Sequence, residues 1–530
     1  MWRCYAEGVP PAARIVAAAV AAVLLVSGCD AAVPAASPTP AEAGNQIRIS
    51  AVPGVAIDRP SPPATSVSVT GLVAGLGEGL GAYLDQDPEW ADCDDGTECA
   101  QVLAPLDYSH PGDRAVTLSL RRKPATKSPR LGTLFINPGG PGASGKELVD
   151  RFESDGLEQY DIVGWDPRGT GDSTPVRCWD AAATDAFNNL DMSPDNDAER
   201  VALIQGARDF GDACWQNSGT LLQHISTIET VRDLDLLRQL LGDKKLRYLG
   251  YSYGTQIGAT YAELFPQNTG RLVLDAAVNI TDSDDVIQAM GFDLALGNFA
   301  AWCAEQDCTL GSSKKEVLAA TTDLFDALDT KPLKVGSRRL TQSLAVTGVA
   351  ALLYGGKDAW PGLEKVIAAG ISGQGAWLLQ MADALNSRDE NGNYDTMFYA
   401  FPAISCLDTG DERGVLDADE LWVEDAKKAP IFGHYFGPQY SCPLWPVRPA
   451  RQLQIRGVGA APLLVIGGTG DNATPYQQAV SMADQLDSGV LVTYEGEGHG
   501  SFGGKSTCID RIVVSYLVKG TVPADGVRCS

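Results

Sequence analysis

Short apolar runs alternate with helical patterns through much of the chain. The runs that predict strands are residues 116–120, 133–136, 161–165, 246–249, 271–274, 463–466 and 490–494. Several are continuously apolar, as buried parallel strands are, whereas residues 116–120 alternate apolar and polar side chains like an exposed edge strand. Residues 225–241 carry apolar side chains at helical spacing before Gly242, a residue type that favours a helix end. This alternation predicts an α/β fold, with a mainly parallel sheet flanked by helices.

The stretch 280–454 interrupts this rhythm. It separates two predicted strands by far more chain than one crossover helix needs, and it contains several helical patterns. We interpret it as a largely helical cap inserted at the carboxyl edge of the sheet. The sheet domain is then formed by two parts, residues 66–279 and residues 455–530.

The N-terminus has the pattern of a targeting segment. Arg3 and Arg14 precede an apolar run over residues 15–26, which is too short to span a bilayer but suits a signal peptide. The following Cys29, after Val-Ser-Gly, resembles the lipidated cysteine of a bacterial lipobox; the alternative is an ordinary secretory signal with an incidental cysteine. We expect a signal peptide over residues 1–28 and an Ala/Pro-rich tether over 29–65, which together predict an exported protein anchored to the cell envelope by lipid.

Charge and cysteine content narrow the class further. The 530 residues include 41 Lys and Arg against 67 Asp and Glu, a net charge of −26, which argues against a nucleic-acid partner.

Of twelve cysteines, Cys4 would leave with the signal and Cys29 would carry the lipid. The other ten allow about 945 pairings, of which pairing between sequence neighbours is the simplest. Those neighbours are Cys93 with Cys99, Cys178 with Cys214, Cys303 with Cys308, Cys406 with Cys442, and Cys508 with Cys529. A zinc site is the rival interpretation, but neither Cys-x-x-Cys pairs nor nearby histidines are present.

The clearest chemical motif is Gly250-Tyr-Ser-Tyr-Gly254. An apolar strand precedes it and a helical pattern follows it, which is the context of a nucleophile elbow. The glycines permit a tight strand-to-helix turn that exposes the hydroxyl of Ser252. The backbone N–H of Tyr253 would then face the substrate oxyanion.

A nucleophilic serine needs a base and an acid that orients the base. Of the four histidines, only His499 follows the last predicted strand, in a glycine-rich loop. For His110, His224 and His434 we expect a surface or packing role. Asp471 ends a strand between Ser252 and His499, and Asp275, which ends an earlier strand, is the competing acid. The order serine, aspartate, histidine is that of α/β-hydrolases.

A second oxyanion donor is expected from the loop Asn137-Pro-Gly-Gly-Pro-Gly142. Gly139 and Gly140 let the backbone approach a carbonyl oxygen closely. No metal and no organic cofactor is required by this chemistry.

Together these residues resemble the prolyl- and tripeptidyl-aminopeptidase group of α/β-hydrolases, especially its secreted or lipid-anchored actinobacterial members. The motifs that carry the resemblance, over residues 85–530, are Pro105-Leu-Asp-Tyr108, Asn137-Pro-Gly-Gly-Pro-Gly142, Trp165-Asp-Pro-Arg-Gly-Thr-Gly-Asp-Ser173, Asp233-Leu-Asp235 with Leu237-Arg238, Gly250-Tyr-Ser-Tyr-Gly254, Tyr261-Ala-Glu-Leu-Phe-Pro266, Asp471-Asn-Ala-Thr-Pro475, Gly498-His-Gly500 and the end from Cys508 to Cys529. Ala276 departs from the glycine usual in relatives.

The resemblance implies an exopeptidase that acts on short peptides. Acidic side chains of the cap would then bind the N-terminal ammonium group of the peptide, and Glu305 and Asp307 are two that are available. We therefore expect an extracytoplasmic serine peptidase that acts through an acyl-enzyme. A carboxylesterase or lipase with the same triad is the alternative, and a non-catalytic binding lipoprotein would be expected to have lost a triad member. The oligomeric state stays open.

Overall fold

The computed structural model describes residues 55, 57, 59, 60, 69–281, 283–409 and 413–530. Two sheets are present in this part of the chain. The strands are β1 (Val73–Ala74), β2 (Ala91–Asp92), β3 (Glu98–Pro105), β4 (Arg114–Lys123), β5 (Gly132–Asn137), β6 (Tyr160–Asp166), β7 (Leu246–Tyr251), β8 (Thr269–Asp275), β9 (Leu333–Val335), β10 (Arg338–Leu340), β11 (Leu463–Gly470), β12 (Gly489–Glu497) and β13 (Val527–Cys529).

The helices lie before, between and after these strands. They are α1 (Gly81–Leu84), α2 (Gly145–Arg151), α3 (Ala181–Asn188), α4 (Asp197–Ser218), α5 (Thr227–Leu240), α6 (Tyr253–Leu264), α7 (Gln288–Glu305), α8 (Lys314–Thr330), α9 (Gln342–Leu353), α10 (Trp360–Ile371), α11 (Ala376–Leu385), α12 (Thr396–Asp408), α13 (Val415–Lys428), α14 (Phe432–Tyr435), α15 (Tyr476–Gln485) and α16 (Thr507–Lys519).

The large sheet is mainly parallel, as the sequence predicts. Its strand order is β13-β12-β11-β8-β7-β5-β6-β4-β3-β2, with β1 paired to β4. Neighbours from β13 to β6 are parallel, and the pairs that involve β4, β3 and β2 are antiparallel. The carboxyl ends of β5, β7, β8 and β11 therefore meet at one edge of the sheet.

Both faces of the parallel part are buried. Along β5, Phe135 belongs to one apolar cluster, and its neighbours Leu134 and Ile136 belong to another on the opposite face. The same alternation recurs in β7, where Tyr248 and Leu249 join different clusters. Because successive strand residues point to opposite faces, two covered faces require continuous apolar runs.

Strand β4 is not the exposed edge strand that its alternating pattern predicts. It lies between β3 and β6. Main-chain N–H groups of the strand are satisfied by the segment that follows β6: the N–H of Thr117 donates to Thr174 Oγ1 and the N–H of Ser119 donates to Ser173 Oγ, each at 2.9 Å. The side chain of Ser119 is buried and its hydroxyl accepts from Nζ of Lys146 at 3.0 Å, so this polar residue of an interior strand has a partner inside the protein.

The helices between β8 and β11 do not form one uniform layer. Helices α7 to α11 and α14 share an apolar cluster of their own, which includes Phe299, Phe325 and Trp360. Helix α12 instead contributes Ala400, Ile404 and other residues to the main cluster of the sheet. This part of the chain is therefore tied to the sheet through α12.

A buried arginine joins four segments near the antiparallel end of the sheet. Arg168 is 0% exposed and forms two hydrogen bonds with the carboxylate of Asp233, at 2.6 and 2.7 Å. Its remaining N–H groups donate to the carbonyl oxygens of Pro105, Leu106 and His224 at 2.8–2.9 Å. The charge is thus paired and every donor direction is used, as burial of a guanidinium requires.

The ten remaining cysteines form five bridges between sequence neighbours. The bridges are Cys93–Cys99, Cys178–Cys214, Cys303–Cys308, Cys406–Cys442 and Cys508–Cys529. The last one connects the start of α16 to β13, the strand beside β12.

The predicted signal peptide (1–28) and the lipidation site Cys29 lie outside the described residues. Of the predicted tether, Val55 and Ile57 are described and pack against an apolar cluster of α4 and α13, and Arg59 donates to the carbonyl of Val447 at 3.3 Å. Within the described part of the chain, no helix combines the length and apolarity needed to cross a bilayer.

Candidate active site

Ser252 occupies the turn between β7 and α6. Its backbone has φ +55° and ψ −127°, a conformation that side chains rarely adopt. The flanking glycines are required by space: a Cβ on Gly250 would lie 2.4 Å from the carbonyl oxygen of Gly254, and one on Gly254 would lie 3.0 Å from that of Asn137. The turn is fixed by the N–H of Ser252, which donates to the carbonyl of Asp275 at 3.0 Å. This is the geometry of a nucleophile elbow.

Asp471 and His499 form a close pair. The Nδ1 atom of His499 lies 2.8 Å from Oδ1 and 3.0 Å from Oδ2 of Asp471, which is 1% exposed. Burial raises the pKa of Asp471, but the charge and hydrogen bond of His499 and the N–H groups of Ala473 and Thr474 outweigh it and hold that pKa below its usual value. The carboxylate therefore keeps Nδ1 as a donor and leaves Nε2 as the acceptor.

The loop of His499 lies beside the end of β7. A Cβ on Gly500 would lie 3.6 Å from Cδ1 of Tyr251, the residue before Ser252. The structure brings Ser252, Asp471 and His499 to one edge of the sheet, but among the described residues no hydrogen bond joins Ser252 to the imidazole. Such bonds often tighten only when substrate binds.

Asp275, the competing acid, faces the backbone and not the imidazole. It is 0% exposed, and its Oδ2 accepts the N–H groups of Ser501 and Phe502 at 2.9 and 2.7 Å. Burial raises the pKa of Asp275, although these two hydrogen bonds oppose the shift. Asp275 thus holds the segment that follows His499.

Two further residues fix His499, and the sequence contains no signal that singles them out. The carbonyl of Tyr354 accepts the His499 N–H at 3.2 Å, and the Tyr354 ring packs edge-on against the imidazole with centroids 5.4 Å apart. In addition, Nζ of Lys505 donates to the carbonyl of His499 at 2.9 Å. The loop of His499 is therefore held by contacts from several elements.

The other three histidines have local partners. His110 lies 2.9 Å from Asp107 in an exposed turn, and the ring of His434 stacks on Trp422. The carbonyl of His224 accepts from Arg168. None of these contacts involves Ser252 or Asp471.

The glycine loop after β5 lies directly against Ser252. A Cβ on Gly139 would lie 2.9 Å from the nitrogen of Tyr253 and 3.0 Å from Cβ of Ser252. The N–H of Gly139 donates to Oδ1 of Asn137 at 2.9 Å. Within the part of the chain that the structure describes, the N–H groups of Gly140 and Tyr253 donate to no side chain and to no loop carbonyl. Gly139 thus provides the close approach, and the N–H groups of Gly140 and Tyr253 are candidate donors for an oxyanion.

The acids Glu305 and Asp307, which the sequence makes available for a substrate ammonium, lie at the end of a helix that passes the site. Both are exposed at the C-terminal end of α7, whereas Gln288 at the other end donates to the carbonyl of Ala473 at 3.0 Å. Asn298, in the middle of the helix, donates to Glu497, two residues before His499, at 3.1 Å. At 1.5 Å per residue, Glu305 lies about 10 Å further along the helix than Asn298.

One group of carboxylates has a geometry compatible with a cation. Oxygen atoms of Asp191, Glu199 and Asp329 lie within 4.8 Å of one another, and burial raises the pKa of Asp191 to about 7. None of the three contacts the site at Ser252, and the acyl-transfer chemistry does not need them.

The strand-to-helix serine, the strand-end acid and the histidine loop define a serine hydrolase with the α/β-hydrolase architecture. Family models agree: residues 132–368 match the model described as alpha/beta hydrolase fold, and residues 429–529 match the one described as TAP-like protein. The chain belongs to the α/β-hydrolase family, in the branch with a TAP-like C-terminal part.

Three curated proteins illustrate that branch. Serine protease Hip1 of Mycobacterium tuberculosis is 34% identical over 86% of this chain and 94% of that protein. Tripeptidyl aminopeptidase of Streptomyces coelicolor is 31% identical over 83% of this chain and 86% of that protein. Carboxylesterase B of Mycobacterium tuberculosis is 35% identical, with coverage of 82% and 86%.

Proposed function

We propose that this chain is a serine peptidase in which Ser252, His499 and Asp471 form the catalytic triad. The observation that carries the proposal is the buried Asp471–His499 hydrogen bond at the sheet edge where Ser252 turns. The names of two relatives, a serine protease and a tripeptidyl aminopeptidase, support peptide substrates. The name carboxylesterase B makes ester hydrolysis the second candidate.

In acylation, Oγ of Ser252 attacks the scissile carbonyl carbon while Nε2 of His499 takes the hydroxyl proton. The N–H groups of Tyr253 and Gly140 stabilise the oxyanion that forms. Asp471 stabilises the imidazolium, which then gives its proton to the leaving amine as the C–N bond breaks. Water repeats the sequence on the acyl-enzyme and releases the acid product.

The function is tested with Ser252→Ala and an activity-based fluorophosphonate probe. The wild type should label and hydrolyse peptide p-nitroanilides, and Ser252→Ala should do neither while it keeps its melting temperature. Ser372→Ala, at an exposed serine after α10, is the matched control and should behave as wild type. Labelling of Ser252→Ala at the wild-type level would refute the nucleophile.

The peptidase and esterase activities are distinguished with two substrates that carry the same acyl group. A tripeptide amide and the ester of the same tripeptide share the acyl-enzyme, so kcat/KM reports how well each leaving group is handled. A peptidase should cleave the amide with a substantial kcat/KM. Turnover confined to the ester would favour the esterase.

We also propose an extracytoplasmic location with a lipid anchor at Cys29. The five disulfides support an oxidising compartment, since cytosolic proteins rarely keep such bridges. Metabolic labelling with an alkyne fatty acid in an actinobacterial host should mark the wild type and not Cys29→Ser. Equal labelling of both would refute lipidation at this cysteine.

A further inference from the structure

Helix α12 contacts the glycine loop that carries one oxyanion donor. A Cβ on Gly142 would lie 2.8 Å from Cβ of Ala400, and one on Gly140 would lie 3.5 Å from Cε of Met397. The hydroxyl of Thr396, at the start of α12, accepts the N–H of Gly171 at 2.7 Å. The N-terminal half of α12 therefore lies on the loop, and the loop has no room to shift toward it.

The other end of α12 reaches the second donor through one intermediate residue. Asp408, the last residue of α12, accepts the N–H of Thr227 at 2.9 Å and its hydroxyl at 2.6 Å. The hydroxyl of Thr227 is also in hydrogen-bond contact with the phenol of Tyr253, whose N–H is the oxyanion donor. Three elements, α12, α5 and α6, are joined in this way.

The direction of these hydrogen bonds follows from the donors available. A threonine hydroxyl has one proton, and here it goes to the Asp408 carboxylate. The phenol of Tyr253 must then donate to Thr227, so the chain runs from Tyr253 to Thr227 to Asp408. Each member fixes the rotamer of the next, and the helix N-terminus at Tyr253 is held against α12.

From these contacts we infer that α12 aligns both oxyanion donors and that Asp408 is a positioning residue acting on Tyr253 through Thr227. The inference rests on the proposed function, since it assumes that the N–H groups of Gly140 and Tyr253 bind the oxyanion. Asp408 itself does not touch the reacting atoms.

The test compares Asp408→Asn and Thr227→Val with two controls. Burial, reinforced by the charge of Glu229, raises the pKa of Asp408 to about 7, so the neutral amide removes an acceptor without removing a strongly stabilised charge. Thr227→Ser keeps the hydroxyl. Asp383→Asn makes the same chemical change at α11, where Asp383 pairs with Arg338 at 2.8 Å without reaching Ser252.

The readouts are the kcat and KM for a tripeptide p-nitroanilide and the Ki of the matching tripeptide aldehyde. The aldehyde forms a hemiacetal with Ser252: the Oγ–C bond forms, the Oγ proton goes to His499 and the carbonyl oxygen becomes the oxyanion. Its affinity therefore reports donor alignment, which substrate binding alone does not.

Asp408→Asn and Thr227→Val should each lower kcat about tenfold, with KM changed by less than about twofold, because small misplacements of donors are costly. The aldehyde Ki should rise by a similar factor, and the double variant should be no worse than either single variant. Thr227→Ser and Asp383→Asn should stay near wild type.

Two results would overturn the inference. In one, kcat and the aldehyde Ki of both variants stay within about twofold of Asp383→Asn. In the other, KM rises while kcat is unchanged, which would make Asp408 a substrate-binding group. Fluorophosphonate labelling of Ser252 in these variants separates either result from failure of the proposed function, which predicts labelling throughout.

Discussion

The carboxyl ends of β8 and β11 lie side by side in the sheet, and each leads to a buried aspartate. Ile466 of β11 pairs with Asp275 at the end of β8, whereas Asp471 follows β11, which extends to Gly470. The longer strand carries Asp471 further out, and it meets the imidazole of His499. Strand β8 ends earlier, and the carboxylate of Asp275 accepts the backbone N–H groups of Ser501 and Phe502.

The two acids thus hold the same loop in different ways. Asp471 holds a side chain whose charge changes during the reaction, and Asp275 holds two peptide groups whose charge does not change. The comparison shows that the length of the strand before an acid decides what the acid contacts. Strand β11 extends a few residues beyond the end of β8, so Asp471 meets the imidazole while Asp275 meets the backbone of the same loop.

The largest expected effect is that of Asp471→Asn. The amide has nearly the same shape but presents the wrong hydrogen-bonding pattern to Nδ1, so the imidazole is held in the unproductive tautomer. We expect kcat to fall by about 10⁴, or roughly 5 kcal/mol of barrier, with KM little changed. Steady-state kinetics, with circular dichroism as the folding control, measure this effect.

Asp275→Asn should lower kcat by no more than about tenfold, because one carboxamide oxygen can still accept the two N–H groups that now share Oδ2. The same assays apply, and the two variants form a matched pair. A larger loss of kcat in Asp275→Asn than in Asp471→Asn, with folding intact, would exchange the two assignments.

Lys505→Met tests the cation that holds the loop beside both acids. The buried ammonium group donates to the carbonyl of His499, and its charge also acts on both carboxylates, where it opposes the raised pKa of Asp275. We expect kcat to fall only a few-fold, because Asp275 and the carbonyl of Tyr354 still hold the loop. A loss comparable to that of Asp471→Asn would show that Lys505 does more than hold the loop.

The two acids should also have opposite effects on the pH dependence of stability. Unfolded aspartates titrate near pH 3.9. The pKa of Asp471 is lowered in the folded state, so its contribution is present above about pH 4 and is lost as pH falls through the folded pKa. The pKa of Asp275 is raised, so its contribution is lost as pH rises from about 4 through its folded pKa.

Urea unfolding between about pH 3 and 7 measures these slopes. As pH rises, the free energy of unfolding of the wild type should increase relative to that of Asp471→Asn. It should decrease relative to that of Asp275→Asn. Slopes of the same sign for both variants would contradict the comparison.

Most of the site residues at the carboxyl edge of the sheet could be predicted from the sequence, because each is marked by its own sequence neighbours. Ser252 lies between glycines that the turn requires, and Asp471 and His499 each follow a predicted strand. Their proximity then follows from parallel strands that end at one edge. Asp275 stayed an alternative because a sequence shows that an acid ends a strand and not how far the strand extends.

The partners of the site could not be predicted, because they come from distant segments. Asp408 reaches Thr227 across 181 positions, and Tyr354 reaches His499 from a helical region with no motif. The sequence does not predict strand β3, for a related reason. Residues such as Glu98 and Gln101 break its apolar pattern because that strand is only partly buried.

The buried guanidinium of Arg168 has a consequence for how variants of this protein should be interpreted. Arg168 belongs to the Asp-Pro-Arg-Gly segment that helps to relate the chain to its family, yet its contacts are to Asp233 and to three carbonyl oxygens of the scaffold. Lysine has a single ammonium and cannot reproduce this planar set of donors. A chain that had lost its nucleophile would still have the buried carboxylate of Asp233 and these carbonyl oxygens to satisfy. The arginine is therefore a mark of the shared scaffold, and its presence in a related protein does not by itself identify an enzyme.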